Sequence, residues 1–280
     1  MILDIFDVEH GACALVTTSN GKHMMIDCGH NAATGWRPGT ALLRAGITQL
    51  DRLFITNYDE DHVSGYPDLL GKVVINVLGR NTNVQPNAIR YLKTEDGMGP
   101  GIEALVHSIE GVFTGGPPSA FEDFGDTSFS LYFNQYGTPP FGFDDENNLS
   151  LVVFVKCGHH KVIFPGDMEK AGWRMLLQNP AFVAELNTVN LFVASHHGRE
   201  NGYCEEVMNL CPQIKAVIIS DQKTGFQSQE TTELYRKHAA GFDYNGTFRR
   251  VLTTRRDSSI QIQMPPAGIA QVVLGLETAA

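Results

Sequence analysis

The chain has 280 residues, of which 42% are hydrophobic and 19% charged, a balance typical of a globular protein with a sizeable core. No apolar run reaches the 18 or more residues of a membrane-spanning helix, and the acidic N-terminus leads us to expect no signal peptide. The net charge of −10, from 21 Lys and Arg against 31 Asp and Glu, argues against tight, unaided binding to nucleic acid.

The first eighty residues are predicted to alternate between strands and helices. Three β-rich segments at 2–8, 12–19 and 23–29 predict a β-meander, with a turn at Gly21 between the last two. A helix at 40–47, a strand at 50–57, a helix at 65–72 and a strand at 73–79 follow. This order is typical of a layered α/β fold.

Residues 80–145 are predicted to be a loop-rich insertion within a single domain that spans residues 1–280. Six of the 13 prolines fall in this region, and the segments GMGPG and TGGPP interrupt it. Within the insertion we expect a helix near 86–95 and strands near 111–114 and 127–134.

Regular structure is predicted to return after residue 147. The expected elements are a hairpin of strands 148–158 and 160–167, a helix at 168–178, a strand at 190–198, a helix at 203–211, a strand at 215–221, a helix at 231–240 and a closing hairpin of 249–254 with 258–264. Both halves therefore contain a β-meander followed by a β-α-β unit. This suggests two similar sheets packed face to face between helices.

Three of the predicted strands end in carboxylates and histidines. The segment 57–62 (NYDEDH) follows one strand, Asp167 follows Gly166 at the end of another, and the sequence SHHG (195–198) ends a third. Ligands bind outside the carboxyl ends of strands in layered α/β folds, and mixed carboxylate and imidazole ligands suit Zn, Mn, Fe or Mg. Each segment alone is also compatible with a solvated loop, a turn or a core histidine. The three together favour a metal site, with residues 57, 59 and 61 converging from one side of an extended segment.

The ordered motifs resemble the metallo-β-lactamase fold, and specifically the ComEC-type hydrolase domain of bacterial competence DNA-uptake proteins. The segment DVEHGAC (7–13) is similar to the family's DVGQGDA turn, MIDCG (25–29) to LIDxG, and TNYDEDHVSG (56–65) to SHxDxDHxGG. NNLSLVV (147–153), GDME (166–169), SHHGR (195–199) and AVIISD (216–221) match the later motifs in order. The resemblance covers essentially the whole chain and implies an α/β fold, a four-layer αββα sandwich.

The resemblance also implies a set of metal ligands. Asp61, His62 and His197 would hold one metal, Asp167 would bridge two metals, and Asp59 would hold the other. Asp61 would in addition orient the attacking water. His196 is the second catalytic candidate, facing substrate or supporting a ligand. Asp27 is expected either to orient a ligand or to cap a turn. His10 lies in the family's turn near the metals, where facing substrate is one alternative and a role outside the site is the other.

Two departures from the family pattern affect the second metal. Asn57 stands where the family carries its first histidine, and a histidine that many relatives carry before the Gly-Asp motif is absent, with Asn147 and Asn148 nearest to its position. An amide is a weak ligand for Zn or Mn, so we expect one strong site for Mn or Zn and one weaker, oxygen-rich site where Mn or Mg is favoured. On this view, Asn57→His would raise the affinity of the weaker site.

Metal-assisted hydrolysis is the activity that the resemblance implies. The favoured function is a phosphodiesterase or nuclease acting on nucleic acid, as the effector subunit of a bacterial, defence-like multi-protein system, with an ATPase or other operon-encoded partner supplying affinity for DNA. The alternatives are a hydrolase of small esters, lactones or phosphoesters, and a catalytically weakened binding subunit.

The five cysteines are odd in number and contain no Cys-x-x-Cys pair. We therefore expect buried thiols, no disulfide framework and a cytoplasmic location.

Overall fold

Two large β-sheets dominate residues 1–115, 123–222 and 231–276, the part of the chain that the computed structural model describes. In spatial order, the first sheet contains β17 (Gln271–Leu276), β16 (Ser259–Gln263), β1 (Ile2–Ile5), β2 (Cys13–Thr17), β3 (His23–Cys28), β5 (Arg52–Phe54) and β7 (Leu78–Gly79). The second contains β15 (Val251–Thr253), β12 (Ala216–Ile219), β11 (Leu191–Val193), β10 (His160–Phe164), β9 (Val152–Cys157) and β8 (Thr127–Tyr132). Two small sheets pair β4 (Gln49–Leu50) with β6 (Val74–Ile75) and β13 (Phe242–Tyr244) with β14 (Thr247–Arg249).

Helices cover the outer face of each large sheet. On the first sheet lie α1 (Pro38–Arg44), α2 (Glu60–Val63), α3 (Tyr66–Leu70), α4 (Pro86–Leu92) and α5 (Pro100–Gly111). On the second lie α6 (Lys170–Leu176), α7 (Pro180–Leu186), α8 (Glu205–Asn209) and α9 (Thr232–Arg236), while α10 (Thr254–Asp257) connects β15 to β16. Four of these helices begin with proline, whose fixed φ suits the first helical position and whose missing N–H has no partner there in any case.

Alternation along the strands divides the core into layers. On β2, Leu15 packs with the helices while Ala14 and Val16 face the second sheet. On β9, Phe154 packs against the outer helices and Val155 joins the core between the sheets. Because side chains point to opposite faces with a period of two, each sheet contributes to two apolar layers. The predicted αββα sandwich is confirmed.

The predicted closing hairpin is wrong. β15 pairs in parallel with β12, Val251 opposite Val217, whereas β16 pairs antiparallel with β1, Ile260 opposite Ile5. The short helix α10 carries the chain from one sheet to the other. Local alternation correctly identified both strands, but it contains no information about their partners, which are chosen by burial between the sheets.

Regular structure within residues 80–145 is more extensive than the prolines indicated. The expected helix near 86–95 and strand near 127–134 correspond to α4 and β8, but the expected strand near 111–114 is wrong because α5 extends to Gly111. Pro86 and Pro100 begin helices instead of interrupting them. Residues 116–122, which include the two prolines of TGGPP, lie outside the described residues. The helix α7, the strands β13 and β14 and the strand β17 were not predicted.

All five cysteines lie in the described ranges, where each is buried and free, as expected. Within those ranges, no helix combines the length and the apolar character that crossing a membrane requires.

Candidate metal centre

Polar side chains from several strand ends converge at one edge of the two sheets. His10 comes from the loop after β1, Asp61 and His62 from α2 after β5, Asp167 from the end of β10, and His197 from the end of β11. We call these five residues the histidine–carboxylate cluster. Their ligand atoms form two groups, each lying within 4.8 Å: His10 with Asp61 and His197, and His62 with Asp167 and His197. Two groups that share one histidine are an arrangement in which a divalent cation can be held.

His62 is held on both sides of its ring. Its Nδ1 lies 2.9 Å from Asp27 Oδ2, and its Nε2 lies 3.0 Å from Asp167 Oδ1. Asp27 also accepts a hydrogen bond of 2.7 Å from the backbone N–H of Thr56. Burial works to lower the pKa of His62, but Asp167 and Asp27 outweigh it and raise that pKa. Asp27 thus contacts the ring nitrogen that faces away from the cluster, as expected of a residue that orients a ligand.

His197 directs an unpaired ring nitrogen into the cluster. Its Nδ1 donates to the carbonyl of Ser220 at 3.2 Å, so Nε2 is the ring nitrogen that faces the cluster. Nε2 is buried, finds no well-aligned hydrogen-bond partner among the described residues, and lies 3.2 Å from Asp61 Oδ2 and 3.5 Å from Asp167 Oδ1. An orphaned buried nitrogen facing two carboxylates fits a bound cation.

The turn that presents His197 adopts an unusual backbone conformation. His196 and His197 both have a φ of 52°, and Gly198 has a φ of 78°. Non-glycine residues seldom occupy this left-handed region, and such strain concentrates at functional sites because the surrounding structure has to maintain it. The expected strand 190–198 therefore ends at Val193, and the histidines lie on a tight turn.

Both carboxylates of the cluster stay ionised. Burial works to raise the pKa of Asp61, but His197 and His62 lower it to about 2. The pKa of Asp167 is likewise lowered by His197 and His62 against the effect of burial. A cavity of about 30 Å³ lies beside these groups, lined in part by Asp27, His62, Asp167 and His197. The cluster therefore offers two negative carboxylates, and that of Asp167 borders space for a small species.

Two glycines of the sequence motifs allow the chain to pack closely around Asp61. A Cβ at Gly11 would lie 2.6 Å from the carbonyl oxygen of Asp61, and a Cβ at Gly29 would lie 2.5 Å from the same atom. Both positions require the absence of a side chain. The DVEHGAC and MIDCG segments thus form the wall against which the Asp61 loop packs.

The conformation of segment 57–62 differs from the expected extended one. Asp59 is extended, but Glu60 begins the helix α2, so Asp61 and His62 lie on a helical turn. Glu60 accepts hydrogen bonds from the backbone N–H groups of Gly101 at 2.8 Å and Ile102 at 3.1 Å. Its carboxylate therefore binds the first turn of α5, where orphan N–H groups and the helix dipole favour an anion.

His196 and His10 are joined by an arginine whose role was not predicted from the sequence. Arg199 donates to His196 Nε2 at 3.1 Å and to His10 Nε2 at 2.9 Å. Burial lowers the pKa of His196, and burial together with His197 lowers that of His10 to about 4, so both rings are neutral acceptors. His196 Nε2 also lies 3.7 Å from Asp167 Oδ2. The sequence feature that could have indicated the role of Arg199 is its position directly after SHHG.

Asn57 and Asp59 lie in a separate group of side chains, which we call the lysine pocket: Asn57, Asp59, Lys93 and Glu146. The Lys93 ammonium pairs with Asp59 and, at 2.7 Å, with Glu146. Burial raises the pKa of Asp59 to about 6 despite the opposing effect of Lys93. Neither group of potential ligand atoms in the described residues includes Asp59. Nothing in the sequence around Lys93 indicated this role.

The amide of Asn57 is fully engaged within the protein. Its nitrogen donates to Asn147 at 3.0 Å and to Ser150 at 3.2 Å, and its oxygen accepts from the backbone N–H of Asp59 at 2.8 Å. The structure thus brings together Asp61, His62, Asp167 and His197 of the predicted ligands, and gives Asn57 and Asp59 other partners. As arranged, the lysine pocket does not fit a divalent cation.

Comparison with known proteins yields one family and several solved structures. Residues 6–185 match the family model described as Metallo-beta-lactamase superfamily. A new diphosphatase from the PhnP family is 11% identical, with 98% of each chain covered and a TM-score of 0.44. Zn²⁺-bound PqqB from Methylobacterium extorquens is 9% identical over 69% of this chain and 72% of that chain, with a TM-score of 0.39. The short form of human tRNase Z is 13% identical over 78% and 91%, with a TM-score of 0.38. A search of curated proteins gave no match.

Proposed function

Because this chain belongs to the metallo-beta-lactamase superfamily, we propose that it is a metal-dependent hydrolase whose histidine–carboxylate cluster holds a divalent cation. The observation that carries the proposal is the buried Nε2 of His197, which faces Asp61 and Asp167 while Nδ1 is bonded to Ser220. Mixed imidazole and carboxylate ligands suit Zn²⁺ or Mn²⁺, with Mg²⁺ as a third candidate.

The residues of the cluster and its neighbours have different roles in the proposed hydrolysis. When bound, a divalent cation would lower the pKa of a water toward neutrality and stabilise developing negative charge. Asp61 has a side chain that is 27% exposed, so it is the carboxylate of the cluster that water and substrate can reach. As an ionised acceptor it would orient the attacking water, while Asp27 and Ser220 keep the two histidine rings oriented.

The substrate that we favour is a phosphodiester, with nucleic acid as the leading candidate. Arg199 supports this choice because its guanidinium lies beside the cluster, in contact with His10 and His196, and guanidinium groups recognise phosphate well. The net charge of −10 counts against tight, unaided binding of a long polyanion, so the proposal includes a partner protein that supplies this affinity. We retain an operon-encoded ATPase as a candidate partner and the ComEC-type branch as the subfamily that the motifs suggest.

A small phosphoester, ester or lactone is the second candidate substrate. The observation that favours it is again the acidic balance of the chain, 31 acidic against 21 basic residues, since a small substrate needs no extended basic surface. The same cluster would serve, so the distinction concerns substrate size and not chemistry.

Hydrolysis assays with the Mn²⁺- or Zn²⁺-loaded protein test the proposal. We expect cleavage of bis(p-nitrophenyl) phosphate and of single-stranded or plasmid DNA, abolished by chelation and restored by metal. Cleavage of p-nitrophenyl acetate or lactones alone would favour the second candidate. Metal binding without hydrolysis of any of these substrates would contradict the proposed activity and support a binding subunit.

A further inference from the structure

Lys93 is buried and is held by two carboxylates, one of which, Asp59, lies two residues before Asp61 in the chain. It follows directly after α4, its side chain is only 2% exposed, and its ammonium contacts both Asp59 and Glu146. A lysine is rarely buried to this degree unless it is paired. Its two partners leave the lysine pocket with one fixed positive charge between two negative ones.

The neighbouring amides fix this arrangement from the other side. Asn57 is completely buried, and both its oxygen and its nitrogen are used in hydrogen bonds within the protein. Asn147, which accepts from Asn57, in turn donates to Glu169 at 3.2 Å. A cation at this position would therefore have to replace existing bonds instead of filling an open coordination site.

The charges in the lysine pocket also count against a bound divalent cation. Asp59 and Glu146 together carry two negative charges, enough to balance one divalent cation if Lys93 were absent. Because the ammonium contacts both carboxylates, a divalent cation in the pocket would be repelled by a like charge. Water screens this repulsion poorly because the ammonium is buried. The pocket therefore already contains its cation, supplied by the chain itself.

We propose that the Lys93 ammonium takes the place of a second divalent cation, so that each chain binds one metal ion, at the histidine–carboxylate cluster. This inference rests on the function proposed above. It differs from the expectation, drawn from the family resemblance, that Asn57 and Asp59 form a second and weaker metal site.

Metal stoichiometry of the full chain tests the inference without recourse to activity. Wild-type protein and Lys93→Met are dialysed to equilibrium against excess Mn²⁺, and protein-bound metal is measured by elemental analysis. We expect one ion per wild-type chain and two per Lys93→Met chain, because the variant frees two carboxylate oxygens that suit Mn²⁺. Lys93→Arg keeps the positive charge and should bind one.

A matched control separates this effect from the general loss of a buried ion pair. Lys161 is also buried, and it pairs with Glu185 at 2.5 Å, but it lies at the opposite end of β10 from Asp167. Lys161→Met should therefore bind one ion, like the wild type.

Each outcome bears on the inference separately from the proposed function. Two ions per wild-type chain would overturn the inference and leave the proposed function standing, even if Lys93→Met failed to fold. One ion in a folded Lys93→Met would also overturn it. No metal in any variant would overturn the proposed function and the inference together.

Discussion

The histidine–carboxylate cluster and the lysine pocket both contain residues of one short motif, 57–62. They differ in the positive charge that neutralises their carboxylates. In the cluster, Asp61 and Asp167 surround an imidazole nitrogen of His197 that lacks a well-aligned partner among the described residues. In the lysine pocket, Asp59 faces an ammonium group that is part of the chain. Under the proposed function, an external cation would complete the first arrangement, whereas Lys93 already balances the charge of the second. Carboxylates that are close in sequence therefore need not bind the same cation.

Removing His197 tests the cluster side of this comparison most severely. His197→Ala deletes the nitrogen shared by both groups of ligand atoms, so hydrolysis and metal affinity should fall by more than the roughly 10- to 100-fold typical of losing an outer-shell partner. Rates on the best substrate and metal content measure the effect. His159→Ala, an exposed histidine on the turn between β9 and β10, is the control and should keep both. Near wild-type activity in His197→Ala would show that the cluster is not the catalytic site.

Asp27→Asn should have an intermediate effect because it changes how a ligand is held and not the ligand itself. Asp27 contacts His62 Nδ1 at 2.9 Å, and losing such an outer-shell carboxylate costs about 10- to 100-fold in metal affinity. Calorimetric titration of the apo-protein measures this change.

Asp51→Asn is the control for Asp27→Asn. Asp51 is a buried carboxylate that accepts from the backbone N–H of His23, at the other end of β3. Its replacement should leave metal affinity unchanged. Equal affinities in wild type and Asp27→Asn would mean that His62 is oriented by its packing alone.

Asn57→His should have the smallest effect on metal binding. With Lys93 in place, we expect the stoichiometry to remain one ion per chain, contrary to the stronger second site expected from the sequence. The variant should instead lose about 1–3 kcal/mol of unfolding free energy, because Ser150 and Asn147 lose a buried hydrogen-bonding partner. Equilibrium dialysis and urea denaturation measure the two quantities. A second bound ion in Asn57→His would show that the amide, and not Lys93, keeps the second metal out.

The sequence was informative where chemistry follows directly after a strand. Asp61, His62, Asp167 and His197 were all identified from their positions after apolar segments and from the resemblance, and the structure places them together. It was less informative about conformation: the turn at His196 and His197 is left-handed, and Glu60 begins a helix. Those features depend on contacts with segments far along the chain, such as Gly101 and Ser220.

By itself, the amino-acid sequence determined the layered architecture and the strand ends that carry the chemistry, because a period of two along apolar segments fixes which faces are buried. The tertiary structure alone decided the partners. It separated β15 from β16 into different sheets, joined Arg199 to His10 across 189 residues, and brought Lys93 to Asp59 across 34. Such pairings are selected by burial and charge neutralisation in the folded chain, and neither quantity is defined for a segment read in isolation.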